Sequence, residues 1–443
     1  MRVPPAFVTP SGLSQVLTLA SSDHVLWIDP SDRAWTVAEA VSAAKNISFD
    51  AAAAVVDAGD PHEFMLRLLA ADACGKAIII PPTFLETTAS ARWLNTAREM
   101  TGSNCAGPRR DGVGGRSSDW ILGTSGTSGI PKHVRHTFTS LTRHTSFDRR
   151  RGASHVWSSL YNLGGFAGLQ VLLQAICGGS AMVCHHPEDS LRTRIARMAR
   201  HGVTALSATP TMWRKLLMLG DITATVPLRQ ITLGGEIADQ KILDALSCRF
   251  PEARIRQIYA STEAGVGFSV GDGRAGFPRT WLDSPPNHTE LCVLESRLWV
   301  RHAAADANRK TEAPIDAVDA TKHGWIDTED LVQVAADRIH FLGRENGCIN
   351  VGGNKVQPEF VEQFLREIPG VHEARVYSRP NPFTGSVVAA EIVVPEVSDA
   401  AALKKRVQTI CRAELEAFQV PAWIQVVDQI DVSSNGKLSR AAA

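Results

Sequence analysis

Residues 121–134 read ILGTSGTSGIPKHV, a strip in which hydroxyl side chains alternate with glycines and run into a proline and a lysine. Thr124, Ser125, Thr127 and Ser128 supply the hydroxyls, Gly126 and Gly129 supply backbone without a Cβ, and Lys132 supplies a cation. Such a loop lets N–H and O–H groups converge on an oxyanion, which is the chemistry of a phosphate cradle. It is not a P-loop sequence, because Pro131 rather than glycine precedes Lys132. Nor is it the G-x-G-x-x-G fingerprint of dinucleotide folds. Taken alone, the same composition serves equally well as a flexible Ser/Gly linker. Two other short stretches concentrate polar groups next to glycine or alanine: LGGE at 233–236 and YASTE at 259–263.

The elements around these stretches predict how they are held. HEFMLRLLAADACG has helical apolar spacing and stops at a glycine, and KAIIIPP follows as a buried strand stopped by prolines. The rhythm recurs in RTRIARMARHGVTALSATPTMWRKLL, where Pro210 opens a helix. It recurs again where Ile242, Leu243 and Leu246 line one helical face between RQITL and IRQIY. Repeated βα units predict an α/β fold with largely parallel sheets, whose ligands sit at the carboxyl ends of the strands. LGGE and YASTE fall there. Beyond residue 285, TELCVLESRLWVRHA and EDLVQVAADRIHFLG alternate as short antiparallel strands of a small β subdomain, and 303–323 reads as a surface loop. Beyond Gly343 comes an α+β unit: PEFVEQFLREI, EARVYS, VVAAEIVV and DAALKKRVQTICRAELEAF in helix–strand–strand–helix order. The expected domains are 1–343 and 347–443, and the tail VSSNGKLSRAAA reads as exposed and mobile.

Composition narrows the function. The chain has 443 residues, 44% hydrophobic and 21% charged, with 46 basic and 46 acidic side chains. It is long enough for two or three subdomains and carries no net field that argues for nucleic acid or membrane as partner. Eight cysteines lie scattered without a C-x-x-C pair, the pattern of reduced thiols in a cytoplasmic protein. The N-terminus lacks a signal-peptide h-region, and no apolar run approaches a membrane span. CHHPE at 184–188 lacks metal-ligand spacing, and Trp157, Trp213 and Trp423 read as core.

In chain order, the strip with Pro131-Lys132, YASTE, GWIDTEDLV, GRENGCINVGGNKVQPEFVE and NGKLSR resemble the motifs of the adenylate-forming acyl/aryl-CoA synthetase superfamily. The resemblance covers about residues 120–440. It implies a large AMP-binding domain and a small C-terminal domain on a hinge at Asn346. It implies that Thr124–Gly129 and Lys132 wrap the ATP phosphates, and that Gly234, Gly235, Glu236 and Tyr259 form the adenine slot. Thr262 would touch the α-phosphate, Glu263 would hold Mg²⁺, Asp330 with Arg344 would bind the ribose, and Lys437 would bridge acid and α-phosphate. A carboxylate attacking an α-phosphate brings two anions together, and magnesium and lysine are the cations that offset their repulsion. Singly, Glu263 reads as a helix N-terminal acid, Asp330 as a turn residue and Lys437 as a solvated lysine. The chain departs from the family pattern at His133, Ala260, Glu329 and Asn346, where relatives carry glycine, glycine, glycine and aspartate.

Within SSLYNLGGFAGLQ, the pair Tyr161-Asn162 aligns with the acid pocket of the superfamily, which Gly165 and Gly234 also line. Asn162 implies an aromatic acid with a polar substituent, or else simply caps the helix that follows. Gly352-Gly353 implies a close approach by the pantetheine of CoA or of a carrier protein. The implied activity is formation of an acyl-adenylate from a small carboxylic acid and ATP, followed by transfer to a thiol. Transfer to an amine or another acceptor, and a catalytically retired adenylate-binding module, are the alternatives.

Overall fold

The computed structural model describes residues 10–83, 87–102, 118–124, 131–286, 289–302, 321, 323–394, 400–433 and 436–438. The chain forms two compact units. One comprises Met1–Ala208, Leu219–Thr232 and Ala260–Val266, and the other Thr209–Met218, Leu233–Tyr259 and Gly267–Ala443.

The first unit is built from βα repeats. Strands Val25–Ile28, Val156–Ser159, Ala181–Val183 and Ala205–Ala208 run parallel, with Trp27 and Trp157 both opposite Met182 and Trp157 also opposite Ala205. A second sheet takes Ala53–Val55, Ala77–Ile80 and Asp119–Gly123 in parallel and closes with antiparallel His133–Thr137. Helix Pro61–Ala73 begins where Asp60 accepts from Glu63 N at 2.7 Å and proline occupies the first turn. It buries Phe64, Met65, Leu68 and Leu69. Helix Phe166–Gly178 ends at Gly179, whose φ of +76° suits glycine. These faces meet in one core with Leu26, Trp27, Ile78, Trp120, Leu169 and Leu172.

The second unit holds a five-stranded antiparallel sheet over Phe277–Pro278, Thr289–Leu294, Arg297–His302, Ile326–Val334 and Arg338–Arg344. Its α+β part packs helices Pro358–Glu367 and Ala400–Glu414 on strands Glu373–Asn381, Gly385–Val393 and Trp423–Val427. Val361, Leu365, Val376, Ile392, Val407 and Ile424 form its core. Trp157 and Trp213 are buried, but Trp423 is 46% exposed. Strand alternation sends Ile424 inward and Trp423 outward, where Arg379 and Lys404 lie over its ring. The surface loop expected at 303–323 lies almost wholly outside the described residues. No helix of the described residues is long and apolar enough to cross a membrane.

Candidate active site

The glycine–hydroxyl strip connects two strands that pair antiparallel. Gly123 pairs with His133 across antiparallel strands. Thr124 N donates to Lys132 O at 3.1 Å, and Lys132 N donates to Thr124 Oγ1 at 3.2 Å. The ends are therefore tied to each other, which sets aside an interdomain linker. Ser125, Gly126, Thr127, Ser128 and Gly129 lie outside the described residues. His133 stacks on Trp93 with centroids 4.3 Å apart and donates from Nε2 to the Trp93 carbonyl at 2.9 Å. Trp93 Nε1 in turn donates to Pro131 O at 3.1 Å, so the departure at 133 braces the loop's base.

Thr262 and Glu263 occupy the turn between strands Arg254–Ser261 and Gly265–Val270. Glu263 is exposed and stands at no helix N-terminus. Buried His136 donates from Nε2 to the Thr262 carbonyl at 2.8 Å. Burial holds its imidazole below the usual range, and a carbonyl partner fixes the Nε2–H tautomer.

Asn162 does not cap the following helix, whose cap is Gly165 with no side-chain bond. Its Oδ1 accepts from Gly164 N at 2.8 Å, and its Nδ2 donates to Thr83 Oγ1 at 3.1 Å. Half-buried Tyr161 packs on the core of the first unit. A methyl group on Gly164 would stand 2.7 Å from Ala58 Cβ, so glycine sets the width here.

In the second unit, Asp330 lies on strand Ile326–Val334 opposite Arg344 rather than in a turn. Arg344 Nε approaches Asp330 Oδ1 at 3.0 Å, and the Tyr259 hydroxyl donates to Oδ2 at 2.6 Å. Burial and the Asp330 carboxylate push the Tyr259 phenol well up, keeping it a donor. The Tyr259 ring lies nearly parallel to Phe268 and Phe341, with centroids 4.9 and 5.1 Å away. Glu329 adopts a φ of +59°, the left-handed region that glycine usually fills, and accepts from Asn346 Nδ2 at 2.8 Å. Two departures from the family pattern thus bind each other.

Lys437 does not sit on a free tail. Ser433 N donates to Lys437 O and Gly436 N to Ser433 O, each at 2.8 Å, while Val432 bridges Leu438. This tight turn docks on LGGE. Leu438 N donates to Glu236 Oε1 at 2.7 Å, and Thr209 Oγ1 donates to Gly436 O at 2.5 Å. Glu236 Oε2 accepts from Thr211 N at 3.0 Å, so both carboxylate oxygens bind backbone. Gly235 has a φ of +81°, and a methyl group on it would stand 3.2 Å from Lys437 Cε. Gly234 closes strand Gln230–Gly234 just before it. Gly352 and Gly353 form the turn between strands Ile349–Val351 and Asn354–Val356, with φ of +56° and +93°. Around Gly353 a methyl group would meet nothing within 4 Å.

Sequence inspection missed Thr209, His136 and Thr83. Thr209 could have been found, because a threonine before proline at a helix start is a capping signal. The other two act through contacts 126 and 79 residues away in sequence, which no local pattern carries.

A family model described as AMP-binding enzyme matches residues 63–297, and its C-terminal domain model matches 360–437. The chain belongs to the AMP-binding enzyme family. It is similar to the phenyloxazoline synthase of Mycobacterium tuberculosis, 26% identical over 73% of this chain and 24% of that protein. It is also similar to the 2-succinylbenzoate–CoA ligase of Listeria monocytogenes, 24% identical over 72% of this chain and 68% of that protein. The chain spans about a quarter of the length of the first of these relatives. Its fold matches a benzoate CoA ligase from Burkholderia xenovorans with a TM-score of 0.71 and 17% identity, covering 97% and 99% of the two chains.

Proposed function

We propose that this chain activates a small carboxylic acid, aromatic and polar-substituted, as its acyl-adenylate and passes the acyl group to a thiol. The observation that carries it is the Lys437 turn, anchored by Thr209 and Glu236 so that the lysine stem lies against Gly235 at the end of strand Gln230–Gly234. A cation held at the carboxyl end of a strand suits a step in which two anions must meet.

In the first step an oxygen of the acid's carboxylate forms a bond to the α-phosphorus of ATP, and the bond to pyrophosphate breaks. Lys437 offsets the charge between the reacting anions. Asp330, held by Tyr259 and Arg344, accepts from the ribose hydroxyls. The LGGE backbone and Tyr259 line the adenine slot, and the strip from Thr124 to Lys132 receives the β- and γ-phosphates. Mg²⁺ would be held by Glu263 and the substrate's phosphates. Among the described residues no group of three His, Cys, Asp or Glu side chains could hold a metal, and Glu263 offers one carboxylate. One carboxylate plus substrate phosphates is the way magnesium is commonly held, and the ion would neutralise phosphate charge. In the second step the thiol sulfur attacks the acyl carbon and AMP leaves. Gly352 and Gly353 provide the open turn for the pantetheine arm of CoA or of an acyl carrier protein. The C-terminal domain 347–443 rotates about Asn346 between the steps, and the protein works in the cytoplasm. The similarity to a phenyloxazoline synthase and to a CoA ligase supports adenylation followed by thiol transfer.

Mixing the protein with ATP, Mg²⁺ and a panel of aryl and fatty acids tests this. Pyrophosphate release with hydroxy- or amino-benzoates above that with fatty acids is expected. No adenylate formation with any acid would leave a binding module instead.

A further inference from the structure

Between the segment that carries LGGE and the part that carries Lys437 lies a buried group of charges that the reaction does not use. Asp239 caps helix Gln240–Arg249 through Ile242 N at 3.0 Å. Its Oδ2 also receives Arg214 Nη2 at 2.6 Å and Arg366 Nε at 3.0 Å. Arg366 Nη1 continues to Glu373 Oε1 at 3.2 Å, and Arg214 Nη1 faces Glu373 Oε2 at 3.6 Å. None of the four is more than 9% exposed. Two arginines and two carboxylates thus close a neutral ring that joins helix Pro210–Leu219, the start of helix Gln240–Arg249, helix Pro358–Glu367 and strand Glu373–Asn381.

Further ties flank the ring. Lys241 Nζ donates to the carbonyls of Arg366 and Val371, and Lys215 Nζ donates to Ile430 O at 2.7 Å. Ile430 lies seven residues before Lys437 in the chain.

We propose that the Arg214–Asp239–Arg366–Glu373 ring, with Lys241 and Lys215, is a clamp that positions Lys437 against Gly235 for adenylate formation and must open before the thiol step. This rests on the adenylating role given above to Lys437. The reasoning is physical. A buried ion pair contributes little relative to a well-packed apolar contact, yet separating its partners is strongly unfavourable unless water or new partners receive each charge. Such a ring is a two-state contact, closed or fully hydrated, and is a poor medium for gradual sliding. The four residues are positioning residues, since they act through the place of Lys437 and touch no reactant.

Amide hydrogen exchange on the full, ligand-free chain tests the clamp without reference to activity. Arg366→Met should raise exchange at least tenfold at Leu438, whose N–H is held by Glu236, while strand Gly385–Val393 keeps its protection. Unchanged exchange at Leu438 would overturn the clamp. If Gly385–Val393 also loosens, the variant has unfolded that part, and Lys241→Met decides instead, because it removes only a flanking ammonium. That variant should still raise Leu438 exchange severalfold, and no rise overturns the proposal. In kinetics with benzoate, ATP and Mg²⁺, Lys241→Met should slow pyrophosphate exchange while leaving CoA attack on supplied benzoyl-adenylate intact or faster. Equal slowing of both contradicts the clamp. Absence of pyrophosphate exchange in the wild type with every acid would refute adenylation, while the exchange pattern at Leu438 would still report on the ring.

Discussion

Two glycine pairs in the second unit invite comparison. Gly234-Gly235 is filled: a methyl group on Gly235 would press on Lys437 Cε at 3.2 Å, and the turn bearing Lys437 is bonded to Glu236 and Thr209. Gly352-Gly353 is open, with only Thr384 beside Gly352 and nothing within 4 Å of a methyl group on Gly353. Both use positive φ, so both need glycine for backbone reasons. They differ in what stands opposite. The first pair admits a lysine stem, whereas the second leaves space for a thin ligand. Under the proposed assignment, the first pair serves adenylate formation and the second serves the thiol step.

The largest effect that sharpens this contrast is expected from Lys437→Ala. Acyl-adenylate formation should fall by about 100-fold or more, in line with removal of a key electrostatic group. Thiol attack on supplied adenylate should remain within a few-fold, and stopped-flow assays of each half-reaction check this. Next comes Asn346→Pro, at the proposed hinge in the short turn Glu345–Gly347. Proline fixes φ and removes an N–H, so one half-reaction should suffer far more than the other. Equal rates in both would place the pivot elsewhere.

Asn162→Ala should act more modestly. It should narrow the preference for hydroxy- or amino-benzoate over benzoate, by up to about 1–3 kcal/mol in kcat/KM, the scale of one hydrogen bond to the substituent. An unchanged ranking of acids would leave Asn162 as the partner of Thr83 and Gly164 only.

A further expectation lies outside the glycine pairs and serves as a control on the first unit's scaffold. Burial holds His185 down to about 3. The unfolded chain, with its imidazole near 6.5, therefore binds the proton first as pH falls. Stability from this group is full above the unfolded value and is lost between pH 6.5 and 3, at about 1.4 kcal/mol per pH unit. Denaturant melts at pH 6.5 and 4.5 should show a shallower pH slope in His185→Gln than in the wild type.

Much of this was legible in the residues. The βα rhythm located helix Pro61–Ala73, strand Ala77–Ile80 and helix Gln240–Arg249, because apolar spacing and caps are local signals. The chemistry-bearing stretches were visible as motifs. What escaped was non-local. NGKLSR looks like a polar tail, since nothing nearby reveals that Glu236, some 200 residues earlier, receives Leu438 N. Nothing local marks Arg214, Asp239, Arg366 and Glu373 as buried, because charge is seldom buried unless paired and pairing is invisible in one dimension. Trp423 reads as core because its outward parity depends on the sheet around it. Glu329 and Asn346 each look like an isolated departure until the structure shows them bonded.

The most direct test of the two-pair account compares Gly235→Ala with Gly353→Ala in both half-reactions. Gly235→Ala should impair pyrophosphate exchange with ATP and acid by about tenfold or more, through crowding of Lys437 and a strained positive φ, and spare thiol attack on supplied adenylate. Gly353→Ala should spare the exchange and slow the thiol step. Loss of the same half-reaction in both variants would contradict the assignment of the two pairs to two steps.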